Sequence, residues 1–310
     1  MKNIKYTRLN FVIQLEDVCI LPKNKTSMLS RLFLNQLCQL YCINNKKCKN
    51  CSNINHCIIQ QIMNGNFSCN EALMKQDFYY PYVVFISKDC TQNFNKNDLL
   101  KFEIRAFDFA VNLISQFIYI FEKIGEIGVG KNKTKFNLLE INNEMGQNIY
   151  KEGLFIQSNI IVGNIIEYIK EKGAQLKDSN FNTIRFVTPV VVSSQSINKY
   201  NLNIGLIGEY IKVRLKSFNI LEDQDYLKID NLFLKDNRNV DYSLNINHVK
   251  YAIKKGKSIY KFLTLTGYIT FHECIDECIN YIKACEMFSI GEKVLMGFGK
   301  YELEGGKKYE

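Results

Sequence analysis

Four cysteines, Cys42, Cys48, Cys51 and Cys57, stand in the pattern Cys-x5-Cys-x2-Cys-x5-Cys. Thiolates at such spacings can close a tetrahedral shell around a soft cation, and a structural zinc ion prefers a shell with no open position. An iron–sulfur cluster takes the same ligands, and free thiols are the remaining reading. The spacing favours zinc, held by a cysteine-rich insert at about 42–69, with Lys46, Lys47 and Lys49 beside it. A second group, Cys274, Cys278 and Cys285, follows His272 but shares one face of an apolar helix pattern and reads as core.

The other chemistry-bearing pattern is a pair of glycine–lysine loops, Gly125-Glu-Ile-Gly-Val-Gly-Lys131 and Gly291-Glu-Lys-Val-Leu-Met-Gly-Phe-Gly-Lys300. Each follows an apolar helix pattern and leads into a strand. Glycine admits positive φ and close approach, and successive N–H groups in such a loop can form an anion-binding concavity. Lys131, Lys133 and Lys135 follow the first loop, and Lys293 and Lys300 accompany Gly291, Gly297 and Gly299 in the second, so a polyanion is the natural partner. Nucleotide-cofactor fingerprints run strand, glycines, helix, the reverse of the order here. A glycine helix stop followed by a tight turn explains either loop alone as well. A third basic stretch, Lys250 to Lys261, sets Lys254, Lys255 and Lys257 among Tyr251 and Tyr260 at a hairpin tip. Lysines of this kind track phosphates and tyrosine stacks on bases, although a solvated, lysine-protected hairpin uses the same residues.

The elements that must position these groups follow from composition and periodicity. The chain has 310 residues, 46% apolar and 23% charged, a globular composition long enough for two ordinary domains. Forty Lys+Arg against 31 Asp+Glu give a formal charge of +9, which favours nucleic acid or another anionic surface. The start of the chain reads as a strand and not as a secretory signal, and the most apolar run, 109–124, is interrupted and too short to span a bilayer. A cytoplasmic protein without a membrane partner is the expectation, so eleven cysteines argue for metal or free thiols before disulfides.

Alternation predicts strands at 4–16, 82–86, 99–107 and from Phe136, and helical spacing predicts helices over 29–40 (with Thr26 or Ser27 as N-cap) and 110–121. After a connection at 142–180 with a helix around 160–172, the order repeats. It runs through a strand at 184–192, a helix at 206–218, strands at 244–253 and 262–271, a helix at 273–287 and a last strand. The expected fold is α+β, two tandem ferredoxin-like (RRM-like) βαββαβ domains: 1–145, carrying the cysteine insert, and 146–310, carrying the second glycine loop.

With these residues in place, the chain resembles a CRISPR-associated RAMP-superfamily endoribonuclease, the type that cuts precursor CRISPR RNA at its repeats. The carriers are Leu21-Pro-Lys-Asn-Lys-Thr-Ser-Met-Leu29, the Cys42–Cys57 cluster, Ile124 to Gly130, Phe186-Val-Thr-Pro189, Gly267-Tyr-Ile-Thr-Phe271, and Gly291 with Gly297-Phe-Gly299. The resemblance implies metal-independent attack of a ribose 2′-hydroxyl on the adjacent phosphate, a 2′,3′-cyclic phosphate product and retention of the guide RNA. It implies precursor repeat RNA as partner and a CRISPR effector complex as a further one. A non-catalytic RNA-holding subunit of such a complex is the alternative. The family's first-helix histidine is missing, since only His56, His248 and His272 are present. Lys25 and Arg31 are the basic residues at the site so implied.

Overall fold

The computed structural model describes residues 4–44, 51–63, 82–176, 181–193, 204–220, 223–234, 240–253, 258–272 and 276–305. Leu9, Phe11, Ile13 and Leu15 point to one side of β1 (Lys5–Leu15) and are buried. Two short strands, β2 (Cys19–Ile20) and β4 (Asn93–Phe94), pair with each other. Between them come α1 (Lys25–Tyr41), α2 (Ile58–Met63) and β3 (Val83–Ile86). Next are β5 (Leu99–Phe107), α3 (Ile114–Ile127) and β6 (Phe136–Asn142). The registers Leu9↔Ile104 and Phe11↔Phe102 stack apolar side chains of β1 and β5 against both helices. Phe11, Phe33, Phe102, Phe117 and Phe121 form one aromatic cluster, with ring centroids from 5.0 Å (Phe11–Phe102) to 6.2 Å (Phe33–Phe121).

The stretch read from the sequence as a connection belongs instead to this first sheet. β7 (Asn148–Lys151) pairs with β6, β8 (Leu154–Phe155) with β7, and β9 (Gly163–Asn164) with β1. The reason is local: Ile149 and Tyr150 are buried by continuing the sheet past the turn at Gly146. The sheet order is β3-β5-β1-β6-β7-β8.

The second half comprises α4 (Ile165–Leu176), β10 (Phe181–Phe186), β11 (Val190–Val191), α5 (Ile204–Ser217), α6 (Asp223–Leu234), β12 (Val240–Ile253), β13 (Ser258–Phe271), α7 (Asp276–Phe288) and β14 (Tyr301–Gly305). Helix α6 was not foreseen; its apolar side is limited to positions such as Ile229 and Phe233, too sparse to stand out in the sequence. The single strand expected at 184–192 is broken between β10 and β11, and both pair with β13. The main strands run β12-β13-β10-β14, matching β3-β5-β1-β6 of the first half when each set is counted in chain order. Among the described residues no helix is long and apolar enough to cross a membrane.

The halves interlock. Val191, Phe262, Leu295, Met296 and Phe298 pack into the core of the first sheet, while Ile4, Tyr6, Val84, Ile86 and Phe107 pack into that of the second. Phe107 meets Phe218 at 5.8 Å and Phe288 at 5.2 Å between centroids. At about 2 kcal/mol for each buried side chain, this exchange is comparable to the net stability of a whole domain.

A charged seam runs beside the apolar one. Glu103 on β5 accepts from Arg8 Nε at 2.8 Å and Arg105 Nε at 2.7 Å, and Arg105 Nη1 donates to the Glu286 carbonyl of α7 at 2.8 Å. Across the same seam Lys88 pairs with Glu302 on β14 at 2.5 Å, and buried Lys300 lies 3.4 Å from Glu302. Burial, with Arg105 adding to it, pushes the Lys300 ammonium down to about 8. Burial alone pushes the Glu103 carboxyl up, but Arg105 and Arg8 outweigh it and hold it well below the usual carboxylate range. A depressed carboxylate stabilises the fold above its unfolded pKa, and that contribution is lost as pH falls. Glu103→Gln is therefore expected to cost about 2–3 kcal/mol at pH 7, with the gap to the native chain narrowing below about pH 4. Urea unfolding of both proteins across that range measures it, and a gap independent of pH would show that the carboxylate charge is not what matters.

Candidate nucleic-acid interface

Helix α1 is amphipathic in its later turns, with Phe33, Leu34, Leu37 and Cys38 buried, but its first turns are buried even where the side chains are polar. Its N-cap is Asn24, whose side chain accepts from Ser27 N at 3.3 Å, two or three residues earlier than the caps the sequence suggested. Lys25 is 1% exposed. Its ammonium donates to the Asp89 carbonyl at 3.0 Å and to the Thr91 carbonyl, lies 3.6 Å from Asp89 Oδ1, and sits over the Phe94 ring at 5.2 Å. Burial lowers its pKa, and Asp89 opposes that shift. Thr26 Oγ1 accepts from Ser87 N at 3.0 Å. Lys25 thus fastens segment 87–94 to α1, and its acceptors are protein oxygens. Arg31, one turn and a half further on, is exposed.

The first glycine loop closes on the segment that leads into α1, and the second on the first turns of α1 itself. The first forms a small hairpin in which Val129 and Thr134 exchange main-chain hydrogen bonds at 2.8 and 2.9 Å. Thr134 Oγ1 donates to the Val18 carbonyl at 3.1 Å, and Gly130 lies so near that a Cβ there would stand 3.0 Å from both Cys19 Sγ and the Ile20 carbonyl. Lys131, Lys133 and Lys135 are exposed around it. The second loop covers α1 from the other half. Ser30 Oγ donates to the Leu295 carbonyl, and Gly297, at φ 82°, rests on Thr26.

The two loops differ in exposure. Every residue from 291 to 300 is buried, including Gly291, Lys293, Gly297, Gly299 and Lys300, so these residues present packing surface and not an open cradle. Hydrogen bonds from Ile290 N to the Gly299 carbonyl and from Gly299 N to the Pro189 carbonyl, both 2.9 Å, close the loop on itself and on the segment after β10. Arg214 on α5, which nothing in the sequence pattern singles out, holds its base. Fully buried, it donates from Nε to the Ser289 carbonyl at 3.1 Å and from Nη2 to the Gly291 carbonyl at 2.9 Å, and burial lowers its pKa to about 10.

The other sequence-derived sites are placed as follows. Lys254, Lys255 and Lys257 lie outside the described residues, and Tyr260 pairs through its backbone with Tyr251 on β12. Cys48 also lies outside them. A groove of about 590 Å³ that the sequence did not reveal opens on the first sheet. Its walls include Asn10, Lys101, Glu103, Glu140 and Asn142 at alternating strand positions, with Lys88 from the segment after β3, a mixture of donors and acceptors. Such positions are recognisable only once it is known which strand face is open.

The close approach of Gly297 to α1 gives a direct test. A Cβ at this position would stand 2.4 Å from Thr26 Cγ2 and 2.8 Å from the Thr26 carbonyl carbon, on a backbone that side chains rarely adopt. Gly297→Ala is expected to destabilise the chain by about 3 kcal/mol, read as a lowered denaturation midpoint. A change within about 0.5 kcal/mol would mean that the loop does not bear on α1 in solution.

Residues 4–161 match the family AF_1859_N, an N-terminal domain. The match runs through β8, in keeping with the strands after residue 145 that complete the first sheet. No curated protein matches the chain. Among solved structures, a partial Cas6-RT-Cas1–Cas2 complex aligns with a TM-score of 0.59 at 9% identity, covering 99% of this chain and 47% of that one. Another Cas6-RT-Cas1–Cas2 complex aligns equally well, 0.59 at 9%, over 99% of this chain and 29% of that one. Thermus thermophilus Cas6 aligns with a TM-score of 0.50 at 12% identity, over 98% of this chain and 100% of that one. The chain therefore spans less than half of the first two proteins and the full length of the third. What is shared at these identities is the fold. The chain belongs to the AF_1859_N family and is built on the fold of the Cas6-like RAMP proteins.

Proposed function

We propose that the chain is a Cas6-type endoribonuclease, two tandem ferredoxin-like domains that bind precursor CRISPR RNA, cut it within its repeats and retain the guide. The observation that carries this reading is the packing of one glycine loop on the segment that leads into α1 and of the other on the helix's first turns, one from each half, with Arg31 exposed on the same helix. The likeness in fold to Cas6 supports it. In the proposed reaction a ribose 2′-hydroxyl attacks the neighbouring phosphorus and the 5′-oxygen of the next nucleotide leaves. The proton lost by the nucleophile is balanced by one gained by the leaving group. The products are a 2′,3′-cyclic phosphate and a 5′-hydroxyl, and no divalent metal enters. The Arg31 guanidinium can offer two parallel hydrogen bonds to the phosphorane oxygens. Lys25 acts by holding segment 87–94 against α1, since its ammonium is enclosed there. The exposed Lys131, Lys133 and Lys135 neutralise backbone phosphates, which makes affinity fall steeply with salt.

A second reading, a non-catalytic subunit that only holds the guide RNA within an effector complex, is favoured by one observation. Helix α1 carries no histidine, and its one buried cation is already bonded to protein oxygens. The two readings separate when the full chain is incubated with repeat RNA in EDTA and the product ends are identified. Cleavage to a 2′,3′-cyclic phosphate is expected, abolished by a 2′-deoxy substitution at the cut site with affinity held within about two-fold. Arg31→Ala is expected to slow cleavage by about 100-fold with a much smaller effect on affinity. Tight binding without cutting would establish the second reading, and cutting of the deoxy substrate or a strict need for magnesium would exclude the proposed chemistry.

A further inference from the structure

The second glycine loop is folded against the ordinary preferences of its own chain. Between Ser289 and Gly299 five residues take positive φ, and two of them, Ser289 at 61° and Lys293 at 56°, are not glycine. Side chains disfavour that conformation, and a run of such residues persists only where its surroundings hold it. Ser289 follows Phe288, the last residue of α7, whose ring stacks on Phe218 at 3.7 Å between centroids, so the loop leaves from a fixed point. Glu292 N donates to the Val191 carbonyl at 3.0 Å, and the chain then turns through a short 3-10 segment (Val294–Met296) to reach α1.

Arg214 is placed where this strain begins. Its Nε donates to the carbonyl of Ser289 at 3.1 Å and its Nη2 to that of Gly291 at 2.9 Å. One planar guanidinium therefore spans the first two positive-φ residues and fixes the angle between their peptide groups. Burying a charge is not the most stable way to fill the site. Removal from water disfavours the cation and lowers its pKa, and an apolar side chain of similar volume often packs as well or better. What the guanidinium adds is geometry. Six residues beyond Ser289, Leu295 offers its carbonyl to Ser30 Oγ, and Gly297 rests on Thr26. Arg31 is the next residue after Ser30. We propose that Arg214 is a positioning residue for RNA cleavage: it holds the base of the strained loop, the loop holds the first turns of α1, and α1 aims Arg31 at the scissile phosphate. The inference rests on the reading of the chain as a repeat-cutting ribonuclease. Arg214 itself is buried and acts through the backbone it holds.

The test compares the full native chain with Arg214→Met, Arg214→Lys, Arg214→Met combined with Ser289→Gly, and Ile229→Val, a buried change on α6 away from the loop. Single-turnover cleavage of repeat RNA by saturating protein is measured beside affinity, thermal midpoint and amide exchange along α1. Arg214→Met is expected to slow cleavage by about 100-fold, with affinity held within about three-fold. It is also expected to speed exchange at residues 28–31 by about ten-fold while 33–38 keep their protection. Adding Ser289→Gly, which removes strain that the guanidinium restrains, should recover most of both losses. Arg214→Lys keeps the charge without the fork and should fall between, and it carries the comparison where Arg214→Met does not fold. Ile229→Val is expected to lower the midpoint and leave cleavage and α1 exchange unchanged. Native rates and native exchange in the folded Arg214 variants, or losses of the same size in Ile229→Val, would overturn the inference. A native chain that cuts no repeat RNA would overturn the ribonuclease reading and the role in cleavage with it, while exchange would still show whether Arg214 holds α1.

Discussion

Burying polar groups in the first turns of α1 is the constraint from which much of the architecture follows. A lysine, a threonine and a serine enclosed there would each cost free energy if left without partners. Lys25 finds the carbonyls of Asp89 and Thr91, Thr26 the backbone of Ser87, and Ser30 the carbonyl of Leu295. None of these partners belongs to the helix. Three come from the segment after β3 and one from the far half of the chain, so α1 reaches its final environment only when the whole molecule has assembled. The absence of a side chain at Gly297 lets the loop and helix come close enough for the serine bond to form.

The same dependence appears at the seam between the sheets. Phe107 leaves the first sheet to stack with Phe218 and Phe288, while Phe298 and Leu295 travel the other way. Ion pairs around Glu103 and Glu302 accompany this exchange without replacing it. A partly buried carboxylate between two arginines sets register and orientation more surely than it adds net stability. The lowered pKa of Lys300 points the same way, since its burial costs more than its neighbours return.

Strand alternation around Leu9 to Leu15 and Leu99 to Phe107 made the first sheet legible, and the repeat of the pattern made the second one so. What escaped was whatever depends on contacts distant in sequence. Asn24 replaces Thr26 and Ser27 as the cap because those two side chains are drawn into the interior. Strands β7 to β9 are too short for alternation to register, and they form because a completed neighbour offers an edge. The glycine loops were recognisable as paired features. That one would stay exposed and the other be sealed could not be read from two similar strings, because the sealing partner of Gly297 lies some 270 residues away at Thr26. The role of Arg214 is hidden in the sequence for the same reason, since its partners Ser289 and Gly291 lie some 75 residues on.

The covering of α1 by residues 289–299 bears on how the molecule comes into being. A ribosome releases α1 long before it has made the loop that encloses it, so the nascent first half must wait with Ser30 and the aromatic cluster only partly covered. Folding during synthesis can therefore proceed up to the first sheet but cannot finish there. The step that completes the helix's surroundings is a late docking of sequence-distant chain, a non-local closure of the kind that slows folding. Such a molecule is prone to hold partly folded species at that stage. Breaks in the polypeptide between the halves would leave each with an apolar face made to receive the other.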